Sequence, residues 1–155
     1  MRRKDREISK LEDIEAIIKK SDVCRIALVD GNKPYIVTMN FGYTGGTPSK
    51  LYFHCASEGR KLDIIRKNNN VCFEMDTDHN ITSGEKACDF SMSYKSVVGS
   101  GKIFIVSAPD EKVHGMNILM GQYSDNTQFE YREKTFNSTV VLRLDIDKIS
   151  GKSRS

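Results

Sequence analysis

The chain has 155 residues and a mass of 17.5 kDa, the size of one domain, 1–155, with its own core. With 38% hydrophobic and 29% charged residues and only three Pro, it is not a disordered, collagen-like or low-complexity chain. Its 24 Lys and Arg against 21 Asp and Glu leave +3, too little and too evenly spread for a nucleic-acid groove, and no apolar run reaches the roughly 18 residues of a membrane span.

The first element is a helix: Leu11, Ile14, Ile17 and Ile18 share one face, Ser9 is the candidate N-cap, and Lys19-Lys20 suit the negative end of the dipole. Val23 to Val29 then forms a strand, Asp30-Gly31 a turn, and Tyr35, Val37, Met39, Phe41 and Tyr43 alternate along a second strand, which together read as a hairpin. A loop over Thr44 to Ser49 leads to a third strand, Leu51 to Cys55. Glu58 to Lys67 is a short helix with Leu62 and Ile65 inward, ended by Asn68-Asn69-Asn70. Val71 to Met75 is the fourth strand. Ser96 to Val106 is the fifth, with Gly99 and Gly101 marking a bulge or a close backbone approach. Pro109-Asp110-Glu111 opens a helix with Val113, Met116 and Met120 inward, and Val140, Leu142, Leu144 and Ile146 alternate in the last strand. Six antiparallel strands with a few helices predict a mainly β, α+β fold, a small closed or split β-barrel.

Met1 to Lys20 has no apolar stretch of the secretory type, so a cytoplasmic protein is expected. Cys24, Cys55, Cys72 and Cys88 form no C-x-x-C pair, which argues against a zinc ribbon or a thioredoxin site and for buried free thiols. No P-loop or G-x-G-x-x-G run is present, and Ser91 and Ser93 lack the G-x-S-x-G elbow of a hydrolase. His79 lies in an apparent turn and His114 on a helix, neither with a catalytic partner in the sequence.

The stretch from His54 to Lys61 is the most informative. A strand gives way to a helix, and Gly59-Arg60-Lys61 places two cations in the first turn, where free N–H groups and the positive dipole end can receive a phosphate. A solvated basic pair is the alternative reading. His54 ends the strand beside it, with Cys55 directed to the other face. It reads as a buried hydrogen-bonding His, as a flavin or substrate contact, or as an axial haem ligand.

These segments, together with Met1 to Ile8, Pro34 to Val37, Asn40 to Tyr43, Leu51 to His54, Gly59 to Asp63, Val71 to Glu74, Ala87 to Ser91, Tyr94 to Gly101 and Gly151-Lys152, resemble the FMN-binding split-barrel superfamily of pyridoxamine 5′-phosphate oxidase, in its nitroimidazole-resistance branch. The resemblance implies a six-stranded split barrel with flanking helices, and a homodimer with FMN between its subunits. It implies that Val37, Thr38, Met39 and Asn40 line the flavin ring, that Arg60 and Lys61 hold the phosphate, and that Ser96 makes a polar contact. His54 is then the candidate catalytic residue, or the metal ligand if haem replaces FMN. The expected activity is electron transfer from a donor through FMN to a nitro-aromatic or related small acceptor; the alternative is a flavin- or haem-binding protein without turnover. The chain has no Trp, carries Phe90 in place of the branch's usual Trp, and ends in Lys152-Ser153-Arg154-Ser155, which argues against pyridoxamine phosphate as substrate.

Overall fold

A computed structural model describes residues 3–126 and 128–154, so Met1, Arg2 and Ser155 of the segments quoted above lie outside the described residues. In chain order the elements are β1 (Glu7–Ile8), α1 (Leu11–Lys20), β2 (Cys24–Asp30), β3 (Lys33–Met39), β4 (Gly42–Thr44), β5 (Lys50–Ala56) and α2 (Arg60–Lys67). They continue as β6 (Asn70–Thr82), β7 (Ser91–Ile105), α3 (Pro109–Tyr123), α4 (Glu133–Ser138) and β8 (Thr139–Arg154). All pairings are antiparallel, in the spatial order β3-β2-β6-β7-β8-β5-β4, with β1 added on β8. The path ends at β3 and β4, which do not pair with each other although only Asn40 and Phe41 separate them. The sheet therefore curls into a barrel with an open seam. This is the split-barrel class anticipated from the sequence.

The interior follows the period-2 pattern of the strands. Ile26, Leu28, Leu51, Phe53, Phe73, Met75, Val97, Ile103, Leu142 and Leu144 are all buried in it. Helix α1 adds Ile14, Ile17 and Ile18, and α2 adds Leu62, Ile64 and Ile65. The connector between β3 and β4 is locked from outside by α3. Phe41 is fully buried, its N–H donates to Tyr123 Oη at 3.0 Å, and Tyr123 Oη donates to the Asp22 carbonyl at 2.8 Å. Gln122 of α3 also caps α1, donating to the Ile18, Lys19 and Ser21 carbonyls.

Several expectations need correction. There are eight strands among the described residues, not six: the alternating run Tyr35 to Tyr43 is divided between β3, which pairs with β2, and β4, which pairs with β5, and the two-residue β1 is too short to show a pattern. Ser9 does not cap α1; Lys10 stands at the N-cap without a side-chain bond, and Leu11 is 51% exposed because the stripe runs out to solvent at the first residue of the helix. On α3 the inward residues are Gly115 and Leu119, while Val113 is exposed, because the helix approaches Tyr52 backbone-first. The stretch Asp76 to Asn80 is no free turn: β6 continues through it with a bulge, Asp78 at φ 60°, because β7 also begins earlier and supplies a partner. Of the four thiols only Cys24 is fully buried; Cys72 faces outward on β6, and Cys88 and Phe90 lie exposed around a 3-10 turn at Ala87–Asp89. The expected irregularity around Gly99 and Gly101 is present as a register shift against β8.

A Cβ on Gly42 would lie 2.4 Å from the Ile118 carbonyl oxygen, a backbone atom of α3 that cannot swing aside, whereas one on Gly121 meets open space. Gly42→Ala should therefore lose about 1–3 kcal/mol of stability through overpacking. Gly121→Ala should gain a few tenths to about 1 kcal/mol from helix propensity. Urea unfolding of the two variants checks both signs.

Candidate functional site

The seam is where the basic pair falls. Strand β5 leads through Ser57 to Gly59 into α2, and Gly59 takes φ 136°, a conformation that L side chains rarely adopt. Leu62 and Asp63 donate their N–H groups to the Gly59 carbonyl at 2.9 and 3.4 Å. Among the described residues the N–H groups of Arg60 and Lys61 make no hydrogen bond, leaving two donors at the positive end of the helix.

Arg60 reaches the β2–β3 hairpin. Its Nε and Nη2 donate to Asp30 Oδ2 at 3.1 and 3.0 Å, and its guanidinium lies 4.6 Å over the Tyr35 ring of β3. Lys61 is half-buried and close enough to Cys55 to act on its thiol: burial pushes that thiol's pKa up, and the ammonium partly offsets it. Beside them β3 is an edge strand, bonded to β2 alone, so its other edge presents unpaired backbone donors and acceptors. Val37 is half-buried and Met39 buried on one face of that strand, while Thr38 and Asn40 are exposed.

The other predicted residues stand elsewhere on one chain. Ser96 of β7 faces outward between its cross-strand partners Asp76 and Lys152. This outward face carries an ion network in which Arg25 Nη1 bonds Glu74 at 3.0 Å and also Asp76, and Asp76 meets His79 Nε2 at 2.9 Å. Burial, then the neighbouring Asp76 charge, raises the pKa of Glu74. His54 is exposed opposite Val141, on the face of β5 that holds Tyr52, whose ring packs edge-on against His114 at 5.7 Å. Leu51, Phe53 and Cys55 take the interior face, so neither a buried nor a core-bonded role fits His54.

The structure thus brings Arg60 to strand β3 with Lys61 next to it near Cys55, and adds two residues absent from the sequence expectations. By sequence alone Asp30 is a turn residue and Tyr35 part of the core alternation. The one local signal was the Asp30-Gly31 turn, and nothing in the sequence ties position 30 to position 60. Among the described residues no group of His, Cys, Asp or Glu is arranged to hold a metal ion, and no helix is long and apolar enough to cross a membrane.

A rolled antiparallel sheet with an open seam, an unpaired edge strand and flanking helices define the split-barrel class. Residues 10–153 match the pyridoxamine 5′-phosphate oxidase family, and the chain belongs to that family, in its nitroimidazole-resistance-like branch. It is similar to a candidate 5-nitroimidazole antibiotic resistance protein from Bacteroides thetaiotaomicron, at 32% identity over 95% of this chain and 86% of that one, with a TM-score of 0.83. The same fold is shared with the flavocytochrome Anf3 from Azotobacter vinelandii, at 18% identity over 100% and 72% of the two chains and a TM-score of 0.83. It is shared too with an FAD- and haem-binding protein from Mycobacterium smegmatis, at 15% identity over 97% and 74% and a TM-score of 0.83. No curated protein matches the chain.

The thiols offer a check on this arrangement. Burial pushes Cys24 far above the ordinary thiol range, so it stays protonated at neutral pH, while Cys88 is exposed. Ellman titration should label Cys88 quickly in the native protein and Cys24 only after unfolding.

Proposed function

We propose that this chain is an FMN-dependent oxidoreductase acting as a homodimer, passing electrons to a nitro-aromatic or related small acceptor. The observation that carries the reading is the Gly59-Arg60-Lys61 start of α2 beside the free edge of β3. Two cationic residues and two unbonded N–H groups share that first turn, next to an edge that can bond the polar rim of a flat ring. A bound flavin supplies the redox chemistry, and the protein supplies binding, orientation and exclusion of water. In this reading Arg60 and Lys61 hold the phosphate. Val37, Thr38, Met39 and Asn40 flank the ring, Ser96 adds a polar contact, and His54 is left to act on the acceptor.

The purified protein should be yellow, with about one FMN per subunit. A charge-assisted contact is worth about 1.5–3 kcal/mol, so Arg60→Ala should weaken FMN about 10- to 150-fold and leave riboflavin, which has no phosphate, nearly unchanged. Equal losses for both flavins would sink the assignment. A Soret band that vanishes in His54→Ala, with no FMN uptake, would put haem in its place. Bleaching of the bound flavin by NADH or NADPH separates an enzyme from a binding protein.

The dimer is argued from the outward face of β3-β2-β6-β7. There Ile36, Ala27 and Cys72 stand in one cross-strand row, with Val29 and Val98 beside it, and Ile36 is 64% exposed. An apolar patch of this kind, rimmed by the Arg25, Glu74 and Asp76 ion network, suits a second copy of the chain. A cofactor of FMN size also needs most of its surface covered, which one open seam does not provide. Light scattering should give about twice 17.5 kDa. In that dimer Cys72 should be shielded from thiol reagents while Cys88 still reacts, and Ile36→Glu should return a monomer with Cys72 reactive.

A further inference from the structure

The ion pair between Asp30 and Arg60 differs from the other exposed pairs that involve arginine at this end of the molecule. Arg66–Asp63 joins neighbours within one helix, whereas Asp30–Arg60 joins the tip of the β2–β3 hairpin to the first residue of α2, two separate elements. Exposed pairs contribute little to stability. What this one does is fix a direction.

The Nε and Nη2 edge of the guanidinium is taken by Asp30 Oδ2, and one of its faces by Tyr35. Among the described residues Nη1 makes no hydrogen bond, so the end-on pair of N–H groups, on Nη1 and Nη2, stays open. That pair is a fork of the geometry that meets a phosphate. An unrestrained arginine gives up rotamer freedom when it binds a ligand; one already held along an edge and a face has less to give up. Both anchors of the hold are themselves set by backbone. Asp30 is the last residue of its ladder, paired with Lys33 across Gly31 at φ 64°, and Arg60 follows Gly59 at φ 136°.

We infer that Asp30 is a positioning residue: with Tyr35 it aims Arg60 at the phosphate monoester of a flavin ligand, and so raises the preference for phosphorylated over unphosphorylated flavin. The inference rests on the flavin-phosphate reading above. Asp30 also places a negative charge near a dianion, which acts in the opposite direction. Two substitutions separate these effects, because Asp30→Asn keeps an acceptor oxygen without the charge and Asp30→Ala keeps neither.

Flavin fluorescence quenching would give the FMN and riboflavin affinities of the wild type, Asp30→Ala, Asp30→Asn, Arg60→Ala and the Asp30→Ala/Arg60→Ala double variant. Asp30→Ala should weaken FMN about three- to tenfold, the scale of one immobilised side chain, and leave riboflavin unchanged. Asp30→Asn should bind FMN at least as tightly as wild type. In the Arg60→Ala background Asp30→Ala should change nothing further, since the partner it acts through is gone. Tighter FMN binding by Asp30→Ala would mean that Asp30 competes for Arg60 instead of aiming it, and would overturn the inference; so would an unchanged FMN affinity, or equal losses of both flavins. If Arg60→Ala fails to separate FMN from riboflavin, the flavin-phosphate reading falls as well. If it does separate them and Asp30→Ala is silent, only the positioning role falls.

Discussion

Two residues, Asn40 and Phe41, connect the strands at opposite ends of a seven-strand path. Laid flat, strands about 4.8 Å apart would put β3 and β4 roughly 29 Å from each other, whereas the three Cα–Cα steps from Met39 to Gly42 reach at most about 11 Å. The sheet has to roll until its ends meet. Curvature, a single enclosed core and a seam where the roll closes without a ladder all follow from that short connector. Its side chains serve the same end, because Phe41 is driven into the core and its N–H is satisfied by Tyr123 from outside.

The seam also explains why the chemistry gathers where it does. A closed barrel would have consumed the free edge of β3 in a ladder, and a flat sheet would have left α2 far from it. In the split barrel, α2 leaves β5, packs against β2 and β7, and brings Arg60 onto Asp30 and Tyr35 of the β2–β3 hairpin, whose outer strand is one lip of the gap. An edge strand is ordinarily a liability because its unpaired groups invite other strands. Here the same unpaired groups lie beside a helix start rich in donors, an arrangement that in the proposed reading serves a ligand flat at one end and anionic at the other.

Much of the fold was legible because strong local patterns carry it. The Ile stripe of α1, the Asp30-Gly31 hairpin, the apolar run of β5, the alternation in β8 and the glycines at the β7 irregularity are all signals within a window of a few residues. The losses have a common cause. The break inside Tyr35 to Tyr43 interrupts no alternation, since Phe41 and Tyr43 still turn inward after the strand has changed partners. The inward face of α3 is set by a glycine packed on Tyr52, which a reading based on apolar spacing passes over. The long extensions of β6 and β7 sustain each other across the ladder, and neither is visible from its own segment.

Neighbouring residues alone specify the elements with clear periodicity, the family motifs and the Arg60-Lys61 pair, because helix starts and hydrophobic periods are local patterns. Which strand face and which distant residue that pair meets are set by the packing of the folded chain. It set Asp30 and Tyr35 against Arg60, turned His54 away from the interior, and placed Ser96 on the outward face beside the Arg25 ion network. Those placements depend on ladder register and on the closing of the roll. Both are properties of contacts between different segments of the chain, and no local pattern of side chains encodes them.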